Sequence, residues 1–215
     1  MNMLYYLLWI LNIIVNGIIF RPKIIGKENI PKKGAAIIAA NHSDVSDPIF
    51  LCMTTRRRIY YFCLHDAYYY GKNAPAMVKW ILRWTNQIPV IQGQKKSGPA
   101  IRKAIKLLKD GRLFAIFPEG TVKGGEKITE AHRGVARIAL ESRTPIIPVG
   151  LVNTYGILPK GKNIYQKIPR IKIHVGKPVY YEKYYGKQNN QKITKFIADD
   201  VMNKIEKLCT EIRDV

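Results

Sequence analysis

Acidic side chains are scarce in this sequence. Fifteen Asp and Glu stand against 36 Lys and Arg in 215 residues, leaving a formal net charge of +21. An excess of that size goes beyond what solubility needs and points to a polyanionic partner: nucleic acid, an anionic membrane surface or an acidic carrier protein. Cysteine is scarce too. Cys52, Cys63 and Cys209 are scattered and odd in number, which fits neither a disulfide framework nor a metal knot and favours a reducing compartment. Of the four histidines, His42, His65, His132 and His174, none stands at ligand spacing with the cysteines, so no metal is expected. His174 alternates with Ile173 and Val175, which reads as a solvent-facing strand position. There is no internal repeat. The one linker-like stretch, residues 155–170, is rich in Gly, Pro and Lys and reads as a surface loop within one domain.

Long hydrophobic runs are missing as well, except at the start. No charge occurs from Met3 to Phe20, after which Arg21 and Lys23 flank Pro22. A helix of that length reaches roughly 27 Å, barely a bilayer core. The basic residues follow the apolar run instead of preceding it, which argues against a secretory signal. Asn12 and Asn16 share one helical face with Trp9 and Tyr5. That stripe suits a helix lying in the membrane interface or packed against protein, with a buried core helix as the competing reading. Residues 1–22 are therefore expected to form a membrane-associating helix on the cytoplasmic face, with Arg21, Lys23, Lys27, Lys32 and Lys33 near anionic headgroups.

From residue 23 to 215 the pattern is that of one α/β domain. Apolar runs at 35–40, 59–64, 87–92, 113–117, 145–152 and 170–175 read as strands. Helical spacing appears at 74–84, at 99–109 with Ile101, Ile105 and Leu108 on one face, and at 134–143. It returns over a C-terminal run carrying Ile193, Ile197, Val201, Ile205, Leu208 and Ile212. Strands separated by helices predict a largely parallel sheet flanked by helices.

Two short motifs carry chemistry. Asn41-His42-Ser43-Asp44-Val45-Ser46-Asp47 follows a strand-like run and precedes a helical start at Pro48. A histidine at such a turn can accept a proton at Nε2 while an aspartate five residues on takes the Nδ1 proton and fixes the tautomer. The competing reading is that Asp44, Ser46 or Asp47 merely caps the next helix. Phe117-Pro118-Glu119-Gly120-Thr121 sits at the carboxyl end of another strand, where open α/β sheets bind ligands. For that motif alone the competing reading is a strand-ending turn.

Together the two motifs resemble the lysophosphatidic acid acyltransferase family of glycerolipid acyltransferases, marked by Asn-His-x4-Asp and Phe-Pro-Glu-Gly-Thr in this order. Gly26 to Pro31, His132 to Ala139 and Thr144 to Val149 extend the likeness, which runs from about Lys23 to Val179. The resemblance implies His42 as general base and Asp47 as its orienting partner, the two candidate catalytic residues. It assigns Glu119 and Gly120 to the acceptor's glycerol portion, with Thr121 beside them, and gives Pro148 a part in shaping the acyl site. The implied acceptor is a lysophospholipid. The donor is acyl-CoA or acyl carrier protein, a co-substrate rather than a bound cofactor.

Three positions depart from the family pattern. Gln92 stands where an arginine grips the acceptor phosphate, Val122 where many relatives have arginine, and His65 where they have lysine. Gln92 can hydrogen-bond but supplies no charge and no guanidinium fork. Either Lys95, Lys96, Lys123 or Arg133 replaces the lost contact, or the acceptor is a different lysolipid. Nucleic acid is the rival partner, through Arg56-Arg57-Arg58 and the lysines of 160–172. With no recognised binding module and charge spread along the chain, no nucleic-acid partner is expected.

Overall fold

The computed structural model describes residues 3–64, 80, 82–90, 98–122, 125, 128–157 and 170–213. Ala36–Ala40 is the reason the sheet exists. All five residues of this strand are buried, and with small or β-branched side chains on both faces it can only sit inside a sheet covered on two sides. We call it β2, after β1 at Lys23–Ile25. The remaining strands are β3 (Ile59–Leu64), β4 (Ile88–Val90), β5 (Leu113–Ile116), β6 (Ile146–Val152) and β7 (Lys172–Val175).

The sheet order is β1-β7-β6-β2-β5-β3-β4. Strands β2 to β6 run parallel to one another, with Ile37 opposite Ile146 and Ala36 opposite Leu113. Strand β7 runs against β6, and β1 pairs in parallel with β7. The largely parallel α/β sheet is thus present, with an antiparallel margin that the sequence did not announce. Strand β1 has three residues, too few for a period to show, and β7 could not be given a direction from its own pattern.

Side chains of β2 alternate between two cores. Ile37 and Ala39 join Phe114, Ile146 and the inner faces of α3 (Gly98–Lys109), α4 (Gly134–Ser142) and α5 (Gln191–Arg213). Ala36, Ile38 and Ala40 face Phe20, Phe50, Leu51 and Ile147. Those residues bring in α1 (Met3–Phe20) and α2 (Asp47–Leu51). Phe50 is fully buried and meets Phe20 edge-on at 5.4 Å. Truncating a buried aromatic of this kind costs about 3–5 kcal/mol.

Helix α1 lies on this second face through a polar and aromatic stripe. Trp9 Nε1 donates to the Cys52 carbonyl at 2.9 Å, Asn12 to Ile49 at 3.0 Å, and the Tyr5 hydroxyl to Arg57 at 3.3 Å. The stripe therefore packs against protein, and the outward face is apolar: Met3, Leu7, Leu11, Ile14 and Ile18 are exposed. Among the described residues no helix is long and apolar enough to cross a membrane. The helix expected at 74–84 falls mostly outside the described residues, although 82–84 are helical, and most of the 155–170 loop lies outside them too.

Candidate active site

Strand β2 ends at Ala40, and the next six residues turn the chain into α2. Asn41 fixes the turn to the neighbouring strand. Its amide donates to the Leu151 carbonyl and accepts from the Leu151 N–H, both at 2.8 Å, an exchange that imitates one rung of a sheet. The next residue, His42, directs Nδ1 at Asp47 Oδ2, 2.8 Å away. The same Oδ2 accepts the Asp44 N–H at 2.9 Å. Asp44 in turn accepts the N–H and hydroxyl of Ser46, closing a tight side-chain turn. Asp47 is the first residue of α2, yet its carboxylate reaches back to the histidine, and Ser46 makes no side-chain cap. Asp44 on the Ser46 N–H and Asp47 on the Asp44 N–H also make the reciprocal bonds of a helix cap, so these residues open α2 while Asp47 holds the histidine.

Asp47 is wholly buried. Burial pushes its carboxyl above the ordinary carboxylate value, against lowering contributions from the His42 hydrogen bond and charge, the Asp44 N–H and the Thr154 hydroxyl. A buried carboxylate held this way gains most from a cationic neighbour. Phe117 stacks on the His42 ring at 4.0 Å and 16°, and Tyr61 continues the stack behind Phe117. The ring is thus fixed by its face and by Nδ1, and Nε2 takes no hydrogen bond among the described residues. This geometry suits a general base.

Glu119 follows the end of β5 and is 2 % exposed. Its Oε1 accepts the His42 main-chain N–H at 2.9 Å. Its Oε2 accepts the Thr129 N–H at 3.1 Å and hydroxyl at 2.8 Å. Gly120 adopts a φ of 76°, and a Cβ there would lie 2.6 Å from the His132 ring. Only glycine fits. The His132 N–H donates to the Pro118 carbonyl at 2.8 Å, which brings the start of α4 against the same loop.

The sequence-predicted residues divide into three groups. His42, Asp47, Glu119 and Gly120 converge on one corner, with Thr121 next in chain. Arg133 is exposed at the start of α4, one residue from the His132 ring that covers Gly120. Pro148 does not join them. It pairs with Ala39 in mid-strand and lines a separate cavity of about 610 Å³ with Val175, Gly176, Lys204 and Leu208. Gln92 and Lys123 lie outside the described residues, as do His65, Lys95 and Lys96. His174 is half-buried instead of solvent-facing, with Nδ1 3.5 Å from Glu211 of α5. The triple arginine is structural. Arg57 donates to the carbonyls of Pro31, Gly34 and Gly111, while Arg56 and Arg58 lie over Trp9, Tyr5 and Tyr60. Sequence reasoning missed Asn41, Thr129 and Thr154. Among the described residues no group of three or more His, Cys, Asp or Glu is placed to hold a metal ion.

A histidine backed by a buried aspartate, at the carboxyl end of a mostly parallel sheet, is an arrangement able to accept a proton from a hydroxyl. Similarity to known proteins identifies the reaction class. A family model described as Acyltransferase matches residues 21–152, and the chain belongs to that family. It is 32% identical over 184 residues to the 1-acyl-sn-glycerol-3-phosphate acyltransferase of Borreliella burgdorferi, covering 84% of this chain and 70% of that one. The Bacillus subtilis protein of the same name is 30% identical over 160 residues, covering 74% and 73%. The fold matches the crystal structure of the 1-acyl-sn-glycerophosphate acyltransferase PlsC of Thermotoga maritima. That match has a TM-score of 0.66 at 23% identity, covering 86% of this chain and 72% of that one. The protein is an acyltransferase enzyme.

Proposed function

We propose that the enzyme moves a fatty-acyl group from a thioester donor, acyl-CoA or acyl carrier protein, to the sn-2 hydroxyl of 1-acylglycerol-3-phosphate, forming phosphatidic acid. The observation that carries this reading is the 2.8 Å contact of His42 Nδ1 with buried Asp47, which leaves Nε2 free. Nε2 takes the acceptor's hydroxyl proton as its oxygen attacks the thioester carbonyl. The C–S bond then breaks, and the imidazolium returns its proton to the departing sulfur. Asp47 stabilises the imidazolium between these steps. Main-chain amides of the surrounding loops hold the oxyanion. Gly120, Thr121 and Arg133 contact the acceptor, with Lys123 and Gln92 assigned to it by the resemblance, whereas Pro148, which lines a separate cavity, has no part in it. The names of the two curated relatives support the choice of acceptor.

The site operates at the cytoplasmic face of a membrane. The outward apolar side of α1 supports that placement, as does the net charge of +21, which attracts anionic lipid and acidic or phosphorylated donors. No nucleic acid takes part. A second acceptor reading, another lysolipid, rests on Gln92, which stands where an arginine grips the acceptor phosphate, and on Val122, which stands where many relatives carry arginine. Purified protein offered acyl-CoA and acyl carrier protein donors against a panel of lysolipids decides between them. Preference for 1-acylglycerol-3-phosphate supports the first reading, and preference for a lysolipid without a terminal phosphate replaces it with the second.

A further inference from the structure

We propose that Glu119 is a positioning residue that sets the main chain of His42, and that it does so through Thr129 rather than by touching the acceptor lipid. The resemblance to other acyltransferases points the other way, to a carboxylate that holds the acceptor's glycerol hydroxyls. The geometry leaves little room for that. At 2 % exposure the side chain is sealed from solvent, and its oxygens accept three hydrogen bonds from the protein itself. All three partners donate, two main-chain N–H groups and one hydroxyl, which suits a carboxylate that can only accept.

These bonds add to the β2–β5 pairing, the Phe117–His42 stack and the His132–Pro118 main-chain bond in joining three segments. They are the turn after β2 at His42, the loop after β5 at Glu119, and the approach to α4 at Thr129. Glu119 and Thr129 are thereby tied to each other, with Gly120 and Thr121 directly following the carboxylate in the chain. Asp47 and Phe117 fix the imidazole from Nδ1 and from its face. Asn41 fixes the preceding residue to β6. Without Glu119, the His42 N–H would lose its bond to Oε1. A displacement of about 1 Å at a base can cost on the order of 100-fold in rate. Thr129 matters because its two donors hold Oε2, so that Oε1 stays aimed at the His42 amide.

The kinetic arm of the test rests on the acyl-transfer reading above, and a second arm does not. Glu119→Gln keeps the shape but places an NH2 donor against one of two N–H donors. The expected result is a fall in kcat on the order of 10–100-fold, with acceptor and donor KM within about twofold of wild type. Thr129→Val, a milder change, lowers kcat several-fold at unchanged KM, and Thr129→Ser restores it. Exchange of the His42 main-chain amide proton, followed by NMR, speeds up in Glu119→Gln whether or not the protein transfers acyl groups. Thermal unfolding of each variant identifies any that fail to fold, and Thr129→Val then carries the comparison. A rise in acceptor KM at constant kcat, a silent Thr129→Val, or an unchanged His42 amide would each overturn the proposal. Absence of turnover in the wild-type protein would count against the acyl-transfer reading alone, leaving amide exchange to decide the role of Glu119.

Discussion

The turn from β2 into α2 and the outer face of α1 lie on the same molecule and obey opposite rules. In the turn, almost every polar group is spoken for. Asn41, His42, Asp44, Ser46 and Asp47 hydrogen-bond to one another or to neighbouring strands, and Glu119 reaches in from β5. On α1 the polar stripe is used up against the protein, and what faces outward is Met3, Leu7, Leu11, Ile14 and Ile18. Helix α5 covers the other face of the same sheet and shows the usual arrangement. Its exposed side carries Lys195 paired with Asp199 and Lys204 paired with Asp200. The contrast fits the proposed function, in which the turn holds the histidine still and the exposed apolar face of α1 meets lipid.

That contrast can be broken or sharpened by mutation. Replacing Leu7, Ile14 and Ile18 together by Glu removes three apolar anchors worth about 1.5–3 kcal/mol each on burial. Binding to anionic phospholipid vesicles, measured by co-sedimentation, should fall at least on the order of 1,000-fold. Turnover of micellar substrate should stay near wild type. Loss of both would mean that α1 also shapes the site, and loss of neither would mean that its outer face has another purpose.

Beside the turn, Thr154→Val removes a buried hydroxyl whose nearness lowers the Asp47 pKa, although neither Thr154 Oγ1 nor Asp47 Oδ1 makes a hydrogen bond among the described residues. That pKa is already raised by burial, so the substitution raises it further. The ionised Asp47 that His42 needs is then lost at a higher pH as the solution is acidified. The acid limb of the kcat/KM profile should move to higher pH, with a loss of several-fold at neutral pH. An unmoved limb would remove Thr154 from the site. The smallest effect concerns selectivity. Gln92→Arg should change the ratio of kcat/KM between phosphorylated and neutral-headgroup lysolipids while leaving chemistry intact, and an unchanged ratio would dismiss Gln92 as a specificity position.

How far the sequence led depended on what kind of signal each feature leaves. Strands β2, β3, β5 and β6 were readable because continuous apolar runs have few other homes. The margin of the sheet was not, since β1 is three residues long and the reversal of β7 depends on how the chain crosses from 153 to 171. The spacing of His42 and Asp47 suited a helix cap as well as a base and its partner, and it took the Phe117–Thr121 motif and the family resemblance to give the pair a role. The resemblance gave Glu119 to the acceptor's glycerol portion and carried no sign of its bonds to His42 and Thr129. The carboxylate's partners are main-chain N–H groups, which leave no mark in the identity of a residue. Thr129 and Thr154 were invisible for a related reason: threonine is common, and their contacts span 10 and 107 positions of chain, from Glu119 and Asp47 respectively. The stripe on α1 was seen but its target was open, because protein and membrane interface reward the same mixture of aromatic and amide groups.

The account stands on His42 as the base. Acyl transfer from a thioester donor to 1-acylglycerol-3-phosphate, followed by release of free thiol, measures it directly in wild type and His42→Ala. The account predicts a fall in kcat on the order of 100–10,000-fold, with an unfolding midpoint matching wild type. Near-wild-type turnover in His42→Ala would contradict it.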